Sequence, residues 1–242
     1  VDKINNHYLT KSSRTLLLTE TCSTLKNCFS KIYNNINYIY GNIYYRDDIG
    51  SKFLTNYEMC GVSIENGNKA VKSIKTLITK TYNKNITSNY GSFGGELNFE
   101  NNILVASIDG VGTKSILAEK YYGKEAYINL GKDLVNHSIN DILVQGAYPL
   151  FFLDYFGCNC LDETILYNFI KGVSEICVNE NIVLLGGETA ELGSIYTSNN
   201  NDCVGCIVGY KDTNYFKNII QKGDIILGFD SHSPHTNGYS LI

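Results

Sequence analysis

Proline occurs only twice in this chain of 242 residues, so no proline-rich linker divides it. Long hydrophobic runs are missing as well. No apolar stretch approaches the roughly 20 residues that cross a bilayer as a helix. Leu16-Leu17-Leu18 lies in a polar stretch and is too short for the apolar core of a signal peptide. No membrane partner is expected. Basic residues form no stripe, and with a formal net charge of −4 the chain lacks the footprint of a nucleic-acid binder. What remains is a balance of 43% hydrophobic and 18% charged residues, which suits a globular protein with a substantial core.

Cysteine, by contrast, is plentiful. Eight cysteines would read as a disulfide framework in a small secreted domain. A chain this long folds without such staples, and free thiols in a reducing compartment are expected. Cys203-Val204-Gly205-Cys206 has the C-x-x-C form of a metal site. It lies inside a β-like run, where side chains three apart point to opposite faces and hold a single metal poorly.

Residues 1–55 are rich in Asn, Tyr, Ser and Thr, show no sustained periodicity, and read as a poorly ordered extension. From Glu65 onward the pattern is regular. Ala70, Val71, Ile74, Leu77 and Ile78 fall at helical spacing. Ile103 to Ala106 reads as a buried strand, residues 124–145 as a helix and Pro149 to Tyr155 as a strand. Asp162 to Asn179 reads as a helix, and Ile182 to Leu185 as a strand ending in glycines. Cys203 to Tyr210 and Asp224 to Phe229 complete the series as strands. The mixed order favours an α+β domain.

The most informative run is Ser107-Ile108-Asp109-Gly110-Val111-Gly112-Thr113-Lys114. At the end of a strand it presents an acid able to hold a hard cation, glycines that let backbone N–H groups approach a phosphate, and a lysine. Its spacing matches neither the Rossmann nor the P-loop fingerprint. Taken alone, it is equally an ordinary strand-ending turn. On the following helix, Asp133, His137, Asn140 and Asp141 fall within a sector of roughly 100°. Such a stripe is commonly a solvated face, but short carboxylates and an amide also suit a cation with oxygen ligands. Gly186-Gly187-Glu188-Thr189-Ala190-Glu191 repeats the glycine-plus-acid theme at a strand end, and Asp154 ends another apolar strand. Gly91-Ser92-Phe93-Gly94-Gly95 reads as a loop able to close over phosphates. Pro234-His235-Thr236-Asn237-Gly238 is a second glycine-containing polar segment, from which a helix could open at Asn237. Together these segments suggest a site for a nucleotide with magnesium.

With these runs in hand, the sequence resembles the phosphoribosylformylglycinamidine cyclo-ligase (AIR synthetase) family over Tyr57 to Ile242. The matching segments are Gly61 to Asn68, Gly91 to Gly95, Asp109 to Lys114, Asp133-Leu134-Val135, Asn140 to Ala147, Pro149 to Tyr155, Gly186 to Glu191 and Pro234 to Leu241. Some pieces are shared with relatives that phosphorylate an oxygen using ATP, such as thiamine-phosphate kinase. The resemblance implies residues 56–230 as the N-terminal ATP-binding domain and 231–242 as the approach to a C-terminal domain absent from this chain. It also implies a mixed sheet that pairs into a barrel across a homodimer, in the cytoplasm. The implied reaction is ATP-dependent closure of formylglycinamidine ribonucleotide (FGAM) to aminoimidazole ribonucleotide (AIR) in purine biosynthesis.

By match to the family's motifs, Asp109, Asp133 and Asp141 are expected to hold Mg2+. Gly94, Gly95, Asp109, Gly110, Gly112, Thr113, Lys114, Asn140, Glu188 and Thr189 are expected to bind the nucleotide. His235, Thr236 and Asn237 would face the ribonucleotide, with Lys114, Asp133 and His235 in catalysis. Three departures stand out: Leu192-Gly193-Ser194 replaces the family's Met-Pro-Gly, Ser63 replaces an Asp, and Ser92 replaces a Gly. The alternative is a truncated, non-catalytic nucleotide-binding or dimerising module of the same superfamily.

Overall fold

The computed structural model describes residues 17–40, 43–47, 49, 57, 60–196, 200–212 and 220–242, and the backbone of 2–4 and 7–9. Contacts divide the chain into two units, residues 1–63 with Leu241 and residues 64–240 with Ile242. The first holds a short antiparallel hairpin, β1 (Asp2–Ile4) and β2 (His7–Leu9), and helix α1 (Leu25–Ile36). No periodicity marked this helix in the sequence. It starts where the Thr24 hydroxyl accepts a hydrogen bond from Asn27 N, a side-chain cap for an otherwise orphaned donor.

The second unit opens with α2 (Ile64–Thr79), the helix expected from the apolar spacing, although none of its residues is buried. Then follow β3 (Gly95–Phe99), β4 (Asn102–Gly110), α3 (Lys114–Tyr122), α4 (Ala126–Leu143), β5 (Tyr148–Cys158), α5 (Glu163–Asn179), β6 (Val183–Glu191) and β7 (Asp202–Asp212). The sheet order is β3-β4-β7-β5-β6; only β5 and β6 pair in parallel. This mixed sheet agrees with the α+β reading. Strand β3 and helix α3 were not anticipated, since each is short and lacks a clear period.

Two sequence expectations fail. Asp224 to Phe229 forms no strand: Ile225 is 86% and Phe229 97% exposed. The edges of the sheet are β3 and β6, and neither pairs with this run, so its backbone groups find no ladder. Nor does a helix open at Asn237; residues 236–241 are bends and turns. A smaller correction concerns β6, which does not stop at Leu185 but continues through Gly186 and Gly187 to Glu191 in register with β5.

Helices α4 and α5 cover one face of the sheet. Their core residues Tyr127, Leu130, Leu134, Phe169 and Val173 meet Phe152, Phe156 and Ile207 from the strands, all at 0–1% exposure. The two helices touch backbone to backbone. A Cβ on Gly172 would collide with Ile128 O, and one on Gly131 with Phe169 O. The opposite face is bare: Ile108 is 70%, Tyr148 64% and Val183 57% exposed. All eight cysteines are free. Cys203 is buried and Cys206 half-buried, as alternation along β7 requires.

Candidate functional site

Strand β4 turns into α3 through Gly110 to Thr113. Gly110 crosses close to β7, where a Cβ would meet Cys203 O at 3.1 Å, and Gly112 takes a left-handed φ of +55°. Both positions therefore favour glycine. Asp109, the last acid before the turn, is held twice. Its Oδ1 accepts from Gly110 N at 2.7 Å, and its Oδ2 lies 2.7 Å from His137 Nε2 on α4. His137 Nδ1 lies 2.8 Å from the Thr236 hydroxyl. With Asp109 ionised, Nε2–H donates to the carboxylate, and in the neutral ring Nδ1 accepts from Thr236.

One turn further along α4 stands Asp141. Ligand atoms of Asp109, His137 and Asp141 lie within 4.8 Å of one another, the one such group among the described residues. Because both His137 nitrogens already have partners, two carboxylates remain to meet a cation. That donor set suits magnesium, which takes one or two carboxylates and completes its shell with water and phosphate oxygens. Beneath the acids, the buried Ser107 hydroxyl lies 2.9 Å from Asp141 Oδ2 and 2.9 Å from Phe93 O of the glycine-rich loop. The next carbonyl, Gly94 O, accepts from Gln145 Nε2 at 2.6 Å. Gly94 is buried, and a Cβ there would press on Val105 Cγ1 at 2.9 Å.

Asp133 lies elsewhere in the network. Its Oδ2 is 2.5 Å from Lys114 Nζ at the start of α3, and the same ammonium donates to His235 O at 2.6 Å. Lys114 is only 16% exposed and sits 5.3 Å from the centre of the Tyr239 ring. Thr113 makes no cap; its hydroxyl bonds Ser240 Oγ at 2.9 Å. Residues 234–240 thus lie over the turn after β4, held through Thr113, Lys114 and His137. Asn140 and Asn237 are exposed.

Glu188 and Thr189 are not brought to this cluster. Glu188 pairs with Tyr155, Tyr155 with Val204 and Val204 with Gly110. Three strand spacings of about 4.8 Å therefore separate Glu188 from β4. Alternation also turns Glu188 to the bare face, whereas Asp109 shares the helix-covered face with Ser107. Asp154 is buried on that helix face, and burial holds its carboxyl above the usual range. Of the polar stripe on α4, the role of His137 was the least legible. Its spacing, four residues from both Asp133 and Asp141, was the available signal.

Residues 93–210 match the family model described as AIR synthase related protein, N-terminal domain. The chain is 42% identical to a phosphoribosylformylglycinamidine cyclo-ligase of Clostridium botulinum, over 78% of this chain and 58% of that protein. It is 35% identical to a bifunctional purine biosynthetic protein of Saccharomyces cerevisiae, over 100% of this chain and 32% of that one. The chain thus spans between a third and three fifths of the length of these curated relatives. Among solved structures, AaThiL complexed with AMPPCP and TMP aligns with a TM-score of 0.43 at 17% identity, over 58% of this chain and 43% of that one.

Proposed function

From the premise that this chain belongs to the AIR synthase related family through its N-terminal domain, we propose that the whole protein converts FGAM to AIR, with ADP and phosphate released from ATP. The observation that carries the reading is the convergence of Asp109, His137 and Asp141 beside a pinned glycine-rich loop and the Lys114 ammonium. That is the equipment of phosphoryl transfer, which consists mostly of positioning and charge stabilisation.

The formyl-amide oxygen of FGAM is a poor leaving group. Transfer of the ATP γ-phosphoryl to that oxygen converts it into a phosphate ester. The amidine nitrogen then attacks the activated carbon, the C–O bond breaks, and phosphate leaves as the imidazole closes. Asp109 and Asp141 would hold Mg2+, which when bound supplies positive charge to the phosphate oxygens. His137 orients Asp109 through its Nε2–H. Gly112, Thr113 and the start of α3 offer backbone N–H groups to the nucleotide phosphates, whereas those of Gly110 and Val111 are taken by Asp109 Oδ1 and Cys203 O. Lys114, fixed by Asp133, adds a cation facing the same turn. His235, Thr236 and Asn237 form the wall on which the ribonucleotide would lie.

The bare face of the sheet, with Ile108, Tyr148 and Val183 exposed, is the surface through which a second copy would pair in a cytoplasmic homodimer. A patch of this kind on a folded unit marks an interaction surface.

The test is to follow AIR formation from FGAM and ATP by the full-length gene product, with ADP and phosphate appearing in equal amounts. Asp109→Asn is expected to abolish magnesium-dependent ATP binding. ATP binding without any AIR formation would instead favour the non-catalytic module.

A further inference from the structure

We propose that the Ser107 hydroxyl couples cation binding at Asp141 to the closure of the glycine-rich loop. This inference rests on the reading of Asp109 and Asp141 as a cation site. Ser107 Oγ lies 2.9 Å from two acceptors, Phe93 O in the loop and Asp141 Oδ2 in the site. A hydroxyl carries a single donor proton. It therefore bonds one of these oxygens at a time, and the other faces it lone pair to lone pair. Ser107 itself is buried, at 9% exposure.

Which acceptor wins depends on the charge at Asp141. A bare carboxylate makes the stronger, charge-assisted hydrogen bond and takes the proton, leaving Phe93 O without its tie. A cation on Asp141 draws on the same lone pairs and weakens that bond. The hydroxyl then turns to Phe93 O and fastens the loop one residue before Gly94, whose carbonyl is already held by Gln145. On the other side of Phe93 the chain runs through Gly91 at a φ of +94°, so the portion left to move is short and has a glycine at its root. By linkage, ordering the loop raises cation affinity at Asp141 by the same factor. Ser107 is thus a positioning residue that reports cation occupancy to the loop.

The test uses the full 242-residue chain with Mn2+ as the probe. Electron paramagnetic resonance of free Mn2+ measures binding, and amide hydrogen exchange of residues 92–95 measures loop closure. In the wild type, Mn2+ is expected to slow exchange roughly threefold to tenfold, the worth of one hydrogen bond. Ser107→Ala should still bind Mn2+ but lose this slowing. Asp141→Asn, with no carboxylate to compete for the proton, should show slowed exchange without any metal. The coupling is overturned if Mn2+ binds the wild type and leaves the loop unchanged, or if Ser107→Ala keeps the full protection. It is equally overturned if Asp141→Asn exchanges like the metal-free wild type. Failure of the wild type to bind Mn2+ would be a separate outcome, seen in the resonance signal, and would remove the cation reading together with the coupling.

Discussion

The two faces of the five-stranded sheet carry similar motifs and lead different lives. Asp109-Gly110 ends β4 on the face covered by α4 and α5, and its acid sits in a network with His137, Thr236 and Asp141. Gly187-Glu188 belongs to β6, and Glu188 points to the bare face, three strands away. In both places a strand offers glycine beside an acid. Strand order and pleat alternation decide which acid finds partners, so a motif becomes a site only where a second element covers it.

The sharpest way to break the comparison is to disturb the covering. Gly172→Ala should force α5 away from Ile128 of α4 and destabilise the fold by about 3 kcal/mol, since overpacking against backbone cannot relax. Urea unfolding would measure this, and a change below about 1 kcal/mol would mean the helix pair is looser than its geometry. Next in size, Asp109→Asn should weaken Mn2+ binding roughly a hundredfold, in the range reported for lost metal-site partners, while Glu188→Gln leaves it unchanged. Equal losses for both variants would place the two acids in one site and end the contrast between the faces.

Asp154 offers a probe of the covered face through pH. Burial raises its pKa, so the folded state holds its proton more tightly than the unfolded chain does. At low pH both states are protonated and no penalty arises. As pH rises through the ordinary carboxyl value, near 4, the unfolded chain ionises first and stability falls until the folded group also ionises. The stability of Asp154→Asn relative to wild type should therefore improve between acid and neutral pH; a difference that is flat with pH would show that the carboxyl does not feel its burial.

Asp162 should behave with the opposite sign. Lys124 and the backbone N–H groups of Thr164 and Ile165 lower its pKa. Its contribution is present above the ordinary carboxyl value and lost as pH falls through the depressed one. Asp162→Ala should lower the unfolding midpoint, because the substitution removes the helix cap. The smallest effect is expected on the bare face. Ile108→Ser should change monomer stability by less than about 0.5 kcal/mol, while sedimentation would reveal any shift away from the proposed dimer.

Much of the second unit was legible before any coordinates. The helices read over 124–145 and Asp162 to Asn179 became α4 and α5, and burial then reinforces their apolar faces. Strand β3 was not legible, because its five residues are mostly exposed and gain definition only by pairing with β4. The run Asp224 to Phe229 misled for the converse reason: it has a strand's composition but pairs with neither edge of the sheet. In the site, Asp109 and Asp141 were readable from residue type and spacing. Ser107 was not, since a serine in a strand carries no signal until its hydroxyl is found between Asp141 and Phe93.

The sequence by itself determined the chemical inventory: acids, glycines and a lysine at strand and helix ends, an α+β alternation, and a family resemblance. Those are properties of residue type and short-range period, which the chain carries whether folded or not. Only the tertiary structure decided that His137 links Asp109 to Thr236, that Asp133 belongs with Lys114, and that Glu188 stands on the other face. Each is a contact between residues distant in the chain, set by strand order, register and the packing of α4 against the sheet.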